Sequence, residues 1–313
     1  MSEPTEFAEI ARLLVPLTRG ASEALGLLDD AAVIGSRPDH DLVISKDAMV
    51  SGVHFAADTP PDIVARKLMR ANLSDLAAKG AEPFGYFLMT AWSDLEDAAW
   101  RAAFAAGLAA DGRVFDISLF GGDTVTTPGP LTLSMTALGW VPKGQAVLRS
   151  GARVGDLVAV SGPIGDGWLD WAPDAGRISG RWLKERHRLA NPRLDLRQLL
   201  RGRATACADI SDGLVADAGH VAKASGVGMA LDLGKLPVSP EAEAWLATLG
   251  DREGGLVALA TGGDDYELVI TLAPDGPIEP QLTVVGVVVE GAGVVVSLND
   301  KPLSLSMTGW AHG

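Results

Sequence analysis

Between Asp29 and Phe55 the chain sets carboxylates at the ends of short apolar runs, which limits where the backbone can put them. Leu28-Asp29-Asp30 precedes Ala31-Ala32-Val33-Ile34. Past Gly35 and Pro38, Leu42-Val43-Ile44-Ser45-Lys46 leads to Asp47, and the stretch closes on Ser51-Gly52-Val53-His54-Phe55. Short apolar runs bounded by turn residues predict buried strands. Acids at strand ends are held by a rigid scaffold, and gathering carboxylates there costs free energy unless a cation joins them. Few basic residues lie nearby, so a metal ion is the cation this stretch calls for.

The rest of the chain is compatible with that demand. Its 313 residues leave room for two domains. A net charge of −14 argues against a nucleic-acid partner, whose phosphates need basic neutralisation. An acidic chain still holds small phosphate ligands when divalent cations stand between the carboxylates and the phosphates. No apolar run approaches the roughly 18 residues of a membrane span. The start, Met1-Ser2-Glu3-Pro4, lacks the basic-then-apolar order of a signal peptide, so a cytoplasmic location is the expectation. One cysteine, Cys207, excludes a disulfide framework and a multi-cysteine zinc site, and reads as a small core residue.

In chain order, residues 5–25 carry a helix-like apolar pattern that ends near Arg19-Gly20. Thr59-Pro60-Pro61-Asp62 opens a helix that carries Asn72-Leu73-Ser74-Asp75 and stops at Lys79-Gly80. Residues 84–91 form an apolar run. Ser93-Asp94-Leu95-Glu96 resembles a capping box opening a helix to about Ala110. Val114–Phe120 reads as a strand that stops at Gly121-Gly122-Asp123-Thr124, and Leu131–Val141 as a long strand. The Gly-, Lys- and Arg-rich segment from Pro142 to Gly155 is the expected boundary between an N-terminal domain, 1–145, and a C-terminal one, 146–313. In the second half, strands are expected over 156–161, 204–208, 267–273, 282–289 and 293–298, with a helix to Ala224 after Asp209-Ile210-Ser211-Asp212-Gly213. The basic stretch 177–203 reads as a solvated helical arm, and His187 and His220, in helical patterns, as surface residues.

Asp29, Asp30, Asp47, Asp75, Asp123, Asp209, Asp212, Asp264 and Asp265 all sit at element ends beside Gly, Ser or another acid. Taken singly, Asp-Asp before a strand is a turn and Ser-Asp before a helix an N-cap. As a set they suit Mg²⁺, which takes hard oxygen ligands and shares its sphere with water and phosphate. Arg149 offers a guanidinium that forks onto phosphate oxygens, or else a solvated linker charge. No P-loop is present, since Gly234-Lys235 is followed by Leu236. No G-x-G-x-x-G opens a helix, and neither H-E-x-x-H nor G-x-S-x-G occurs.

Together and in order, these motifs carry a resemblance: Asp29-Asp30-Ala31-Ala32-Val33, Asp47 with Gly52-Val53-His54-Phe55, Asn72 to Ala78, Gly121 to Thr124, Arg149 to Ala152, Asp209 to Leu214 and Gly263 to Leu268. The chain resembles the thiamine-monophosphate kinase family of the aminoimidazole-ribotide-synthetase-like ATP-binding superfamily, from about residue 7 to Trp310. The resemblance implies an α/β, two-domain fold of mixed sheets flanked by helices, and a homodimer pairing its N-terminal sheets. It implies ATP-dependent phosphorylation of thiamine monophosphate with several Mg²⁺ ions. By motif position, Asp30, Ser45, Asp47, Asp75, Asp123, Asp209 and Asp212 look like magnesium ligands. Gly122, Asp123, Arg149 and Ser211 look like ATP contacts; His54, Asp264 and Trp310 look like thiamine-side contacts. Asp47, Asp75, Asp123 and Arg149 are the expected catalytic group. The pattern departs from the family at Leu28, where glycine is usual, at Lys46, where threonine is usual, and at Ala78-Lys79-Gly80. The ammonium of Lys46 is a possible substitute for part of a cation's charge. An aminoimidazole-ribotide-synthetase-type enzyme and a non-catalytic acidic nucleotide- or metal-binding module are the alternatives.

Overall fold

The computed structural model describes residues 6–171, 180–305 and 307–310. Residue 5 of the N-terminal pattern, residues 177–179 of the basic stretch, and Ala311 and His312 beside Trp310 lie outside the described residues. The chain divides into two compact units: one runs to Leu76 and resumes at Ala81–Gly144, and the other comprises Ala77–Gly80 and Gln145 onward. Among the described residues no helix is long and apolar enough to cross a membrane.

The first unit is built on α1 (Glu6–Glu9), β1 (His40–Val50), α2 (Pro61–Ala78), β2 (Glu82–Trp92), α3 (Ala98–Val114), β3 (Ser118–Thr126) and β4 (Thr132–Pro142). The strands form one mixed sheet in the order β1-β4-β2-β3, with β2 and β3 parallel and the other pairs antiparallel. Strand alternation puts Tyr86, Leu88, Leu133 and Met135 on one buried face, together with Val64 and Leu68 of α2. The opposite face leaves Ile44 and Val125 exposed.

Several expectations shift here. Ala31–Ile34 is not a strand, and Val33 is 65% exposed, its N–H donating to the Glu23 carbonyl at 3.0 Å. The N-terminal pattern does end where expected: contiguous helical turns run from Glu6 to Thr18 and stop at Arg19, which takes positive φ, as Leu25, Gly26 and Leu27 do farther on. Ser93 and Glu96 do bond, the Ser93 N–H and hydroxyl both donating to Glu96 Oε2. The cap of α3, however, is Asp97, whose Oδ1 accepts from the Trp100 N–H at 2.8 Å. β3 also runs through Gly121-Gly122-Asp123 instead of stopping there. It can do so because Gly122 has no side chain: a Cβ there would lie 1.8 Å from the Leu88 carbonyl oxygen.

The second unit contains β5 (Leu157–Val160), α4 (Asp166–Trp171), α5 (Arg181–Arg188), α6 (Arg197–Arg203), β6 (Ala204–Asp209), α7 (Leu214–Ser225), β7 (Gly228–Asp232), α8 (Pro240–Thr248), α9 (Arg252–Thr261), β8 (Leu268–Leu272), β9 (Thr283–Val289), β10 (Gly293–Leu298) and β11 (Lys301–Leu303). Its seven strands pair in the order β11-β10-β7-β9-β5-β8-β6, with only β7–β10 parallel. Val158, Val160, Val269 and Val285 of the sheet pack with Leu214, Val215 and Val221 of α7. On the other side, Ala159, Cys207 and Ile270 pack with Leu196 and Leu200. Cys207 is the core residue expected, and burial pushes its thiol up to about 12. Both units are therefore α/β, with mixed sheets and flanking helices.

The basic stretch is not the solvated arm its composition predicts. Arg186 is buried and donates to Glu267 Oε1 at 2.9 Å and to the Asp265 carbonyl at 3.0 Å. Arg193 Nη1 reaches Glu267 Oε2 at 2.9 Å, and Leu183, Leu194, Leu196 and Leu200 are buried among the charges. Two guanidiniums are needed there because Glu267 comes in buried at the start of β8, and an unpaired carboxylate in that position is costly.

Candidate functional site

Within the first unit, β1 and α2 bring three of the expected residues together. Ser45 and Asp47, two apart on a strand, share a face, and Ser45 Oγ donates to Asp75 Oδ2. Asn72 fixes the distance between strand and helix: its Oδ1 accepts from the Asp47 N–H at 3.1 Å, and its Nδ2 donates to the Leu68 carbonyl at 2.9 Å. Asn72 is fully buried and lies one helical turn before Asp75, so it clamps Asp47 beside that carboxylate. Burial, and then the Asp75 charge, push the Asp47 carboxyl up to about 6.

Lys46 does not relieve this crowding. In the ladder it pairs with Thr136, and Asp47 with Met135, so the pleat sends the two side chains to opposite faces. The Lys46 ammonium donates to Ser134 Oγ at 2.9 Å, and that hydroxyl donates to the Asp47 carbonyl at 3.0 Å. The lysine therefore braces the backbone from behind.

Asp123 and Asp30 belong to a second group in this unit. They line a cleft of about 920 Å³ with Asp29, Gly122, and apolar walls that include Leu13, Trp92 and Phe104. Asp123 pairs with Met89, and Met89 with Ser134, one rung away from the Asp47–Met135–Leu88 row. The side chains of Asp123 and Asp47 therefore leave opposite faces of the sheet. His54 closes the turn after β1: its Nδ1 accepts from the Val50 N–H at 3.0 Å, which in the neutral ring leaves the hydrogen on Nε2.

In the second unit the Asp209–Gly213 loop is the hub. Asp209 ends β6 and is buried. The Asp264 N–H donates to the Ser211 carbonyl at 2.8 Å, and the Trp310 N–H to the Asp212 carbonyl at 2.9 Å, so two of the three expected thiamine-side residues hang from adjacent loop residues. The approach requires Gly263, which has φ of 80° and where a Cβ would lie 2.5 Å from the Ser211 carbonyl oxygen.

The loop itself is shaped by Asp217, in the first turn of α7. Its Oδ2 accepts from the N–H groups of Ser211, Asp212 and Gly213 at 3.0, 3.0 and 3.2 Å. Burial and the Asp212 charge still push the Asp217 carboxyl up to about 7, and the Arg149 guanidinium pulls the other way. Ser225, at the far end of α7, anchors the Arg149 segment by accepting from the Gly151 and Ala152 N–H groups and donating to the Arg149 carbonyl at 3.2 Å. Ligand atoms of Asp212, Asp217 and His220 lie within 4.8 Å of one another, and His220 is exposed as expected.

Asn72 and Asp217, which hold the backbone of Asp47 and of the Asp209–Gly213 loop, and the buried His187 have places that the sequence pattern does not single out. An acid in the first turn after Asp-Gly is a readable signal for Asp217, since helix N-termini favour carboxylates. His187 gives no such signal. Contrary to the surface placement expected from its helical pattern, it is buried against Asp170 and Asp264.

The AIR synthase related protein, N-terminal domain family matches residues 28–141, and the AIR synthase related protein, C-terminal domain family matches residues 153–299. The chain is 52% identical to the thiamine-monophosphate kinase of Caulobacter vibrioides, over 99% of this chain and 91% of that one. A crystal structure of thiamine-monophosphate kinase from Stenotrophomonas maltophilia K279a superposes with a TM-score of 0.79 at 35% identity, covering 96% of this chain and 98% of that one. The structure of AaThiL complexed with AMPPCP and TMP superposes with a TM-score of 0.76 at 29% identity, covering 86% and 88%. The chain belongs to the AIR synthase related family and, within it, to the thiamine-monophosphate kinases.

Proposed function

We infer that this chain transfers the γ-phosphoryl group of ATP to thiamine monophosphate, giving thiamine diphosphate and ADP. The observation that carries the reading is the 52% identity to a thiamine-monophosphate kinase over almost the whole chain. The likeness to AaThiL complexed with AMPPCP and TMP supports the same substrate pair.

The acceptor is itself a phosphate monoester, largely dianionic at neutral pH, so no side chain has to remove a proton from the nucleophile. The obstacle is repulsion between two charged phosphates. The Asp47–Asp75 pair fits a divalent cation: burial first and the Asp75 charge second push Asp47 up to about 6, and the adjacent ammonium faces away. In our reading Asp30, Ser45, Asp47, Asp75, Asp123, Asp209 and Asp212 are the groups that hold Mg²⁺, which when bound supplies charge neutralisation on the phosphates. Ser211, Gly122 and Arg149 bind and orient ATP, and His54, Asp264 and Trp310 take the thiamine side. The exposed indole of Trp310 suits a cationic thiazolium ring. Positioning and preorganised charge then carry the in-line transfer.

We assign ATP and metal binding and dimerisation to residues 1–145, and the remaining α/β domain to 146–313. The exposed Ile44 and Val125 on the open sheet face of the first unit support a homodimer formed through that sheet. A cytoplasmic location accords with ATP as co-substrate. The test is direct: incubate the protein with ATP, Mg²⁺ and thiamine monophosphate, and follow thiamine diphosphate and ADP. Absence of product across a range of Mg²⁺ concentrations refutes the reading. Asp75→Asn should abolish turnover with the fold retained, and full activity would contradict its role.

A further inference from the structure

His187 sits between two carboxylates. Its Nδ1 lies 3.1 Å from Asp170 Oδ2 and its Nε2 lies 3.3 Å from Asp264 Oδ2. The imidazole and Asp170 side chains are 9% and 12% exposed, whereas Asp264 is 29% exposed, so the row runs from the interior toward an open carboxylate. The Trp171 ring, 5.3 Å from the imidazole and tilted by 46°, limits its rotation.

Asp264 has reason to need a brace. It occupies left-handed backbone, with φ of 62°, where a non-glycine residue is held by its surroundings. Its main chain is tied to Ser211, but that bond does not set the side-chain rotamer. A neutral imidazole has one N–H and one lone pair, so between two ionised carboxylates it would leave one acceptor facing another. Both contacts are satisfied when both ring nitrogens carry hydrogen. Asp170, His187 and Asp264 then hold a net charge of −1 with Asp264 as the exposed end. Without Asp170, a doubly protonated His187 would cancel the Asp264 charge.

We propose that His187, backed by Asp170, is a positioning residue that fixes the Asp264 carboxylate for the cationic part of thiamine monophosphate. The inference rests on the kinase reading and on Asp264 as a thiamine-side group, and deepens both. It makes Nε2 the functional atom and Nδ1 the structural one.

Two substitutions separate those atoms. In His187→Asn the amide nitrogen takes the place of Nδ1 and reaches Asp170 only; in His187→Gln it takes the place of Nε2 and reaches Asp264. With ATP and Mg²⁺ saturating, H187N should raise KM for thiamine monophosphate about tenfold, the loss of a charge-assisted hydrogen bond. H187Q should stay within about threefold of wild type, and kcat and the KM for ATP should hardly move in either. A packing role for His187 would move both variants alike, so equal KM values for thiamine monophosphate overturn the proposal. In the wild-type protein, ¹⁵N shifts of the His187 ring should report a hydrogen on Nε2, and an unprotonated Nε2 overturns it without any variant having to fold. Absence of turnover by the wild-type protein is a different result: it refutes the kinase reading itself.

Discussion

Replacing Asp217 by alanine removes one carboxylate and leaves three backbone donors without their acceptor. The N–H groups of Ser211, Asp212 and Gly213 converge on a single oxygen at 3.0–3.2 Å, and Asp217 is 1% exposed. At about 1 kcal/mol for each bond the loss is roughly 3 kcal/mol. For a unit of this size that lowers the melting temperature by roughly 6–12 °C. Asp217→Asn is the control, because its amide oxygen still accepts from the loop while the charge that crowds Asp212 is gone. The difference between the two variants therefore isolates the acceptor. Urea unfolding at pH 8.5 measures it, and the kinase assay should show a larger loss of kcat in D217A than in D217N, because Ser211 and Asp212 lose their fixed backbone. If D217A is as stable and as active as D217N, Asp217 does not shape the loop.

Gly122→Ala places a Cβ where the Leu88 carbonyl leaves 1.8 Å, so β3 must move from β2 by more than about 1 Å. A cost of about 2–3 kcal/mol is expected, with a raised KM for ATP, and thermal melting with ATP titration checks both. Lys46→Thr should leave kcat and the Mg²⁺ requirement within about twofold of wild type, because the ammonium faces Ser134 and not the acids; an Mg²⁺ titration of activity decides. Asp265 is buried, and burial pushes its carboxyl from 3.8 up to about 8, against the N–H groups of Gly165 and Gly167. The folded state then keeps a proton that the unfolded chain releases above about pH 4, so this residue's contribution is full in acid and is lost as pH rises through about 8. Asp265→Asn does not titrate. Its stability relative to wild type should improve between pH 5 and pH 9, by at most about 4 kcal/mol, and parallel urea midpoints across that range would exclude the effect.

The turns that carry some of the candidate acids were legible because their signals are local. Asp209-Ile-Ser-Asp-Gly and Gly262-Gly263-Asp264 are turn chemistry, and β6, α7 and β8 begin or end where that chemistry says they should, whereas β3 runs through its own Gly-Gly-Asp. Strand existence was similarly readable for β1, β2 and β4, whose apolar runs are long enough to be buried on one face. The failures were of two kinds. Ala31–Ile34 has a strand's composition but no partner strand, and composition does not supply hydrogen bonds. The basic stretch looked solvated because its partner, Glu267, lies 81 residues from Arg186 and 74 from Arg193. An ion pair at that separation leaves no trace in a charge run.

The same distinction explains which residues of the site went unseen. The candidate carboxylates of the Asp209–Gly213 loop sit in a turn, and turns are written in neighbouring residues. The group that aims the carboxylate is chosen by the packed fold: Asn72 reaches Asp47 across 25 positions, and His187 must meet Asp170 and Asp264 at once. Lys46 makes the point most directly. Along the chain it is the residue beside Asp47 and looks like a cation among acids. The β1–β4 register sends it through the sheet to Ser134, so one residue of spacing decides between neutralising the site and bracing it from behind. The burial of Asp47 and its crowding by Asp75 therefore persist in the folded chain, and this setting, more than the number of acids, favours a divalent cation there.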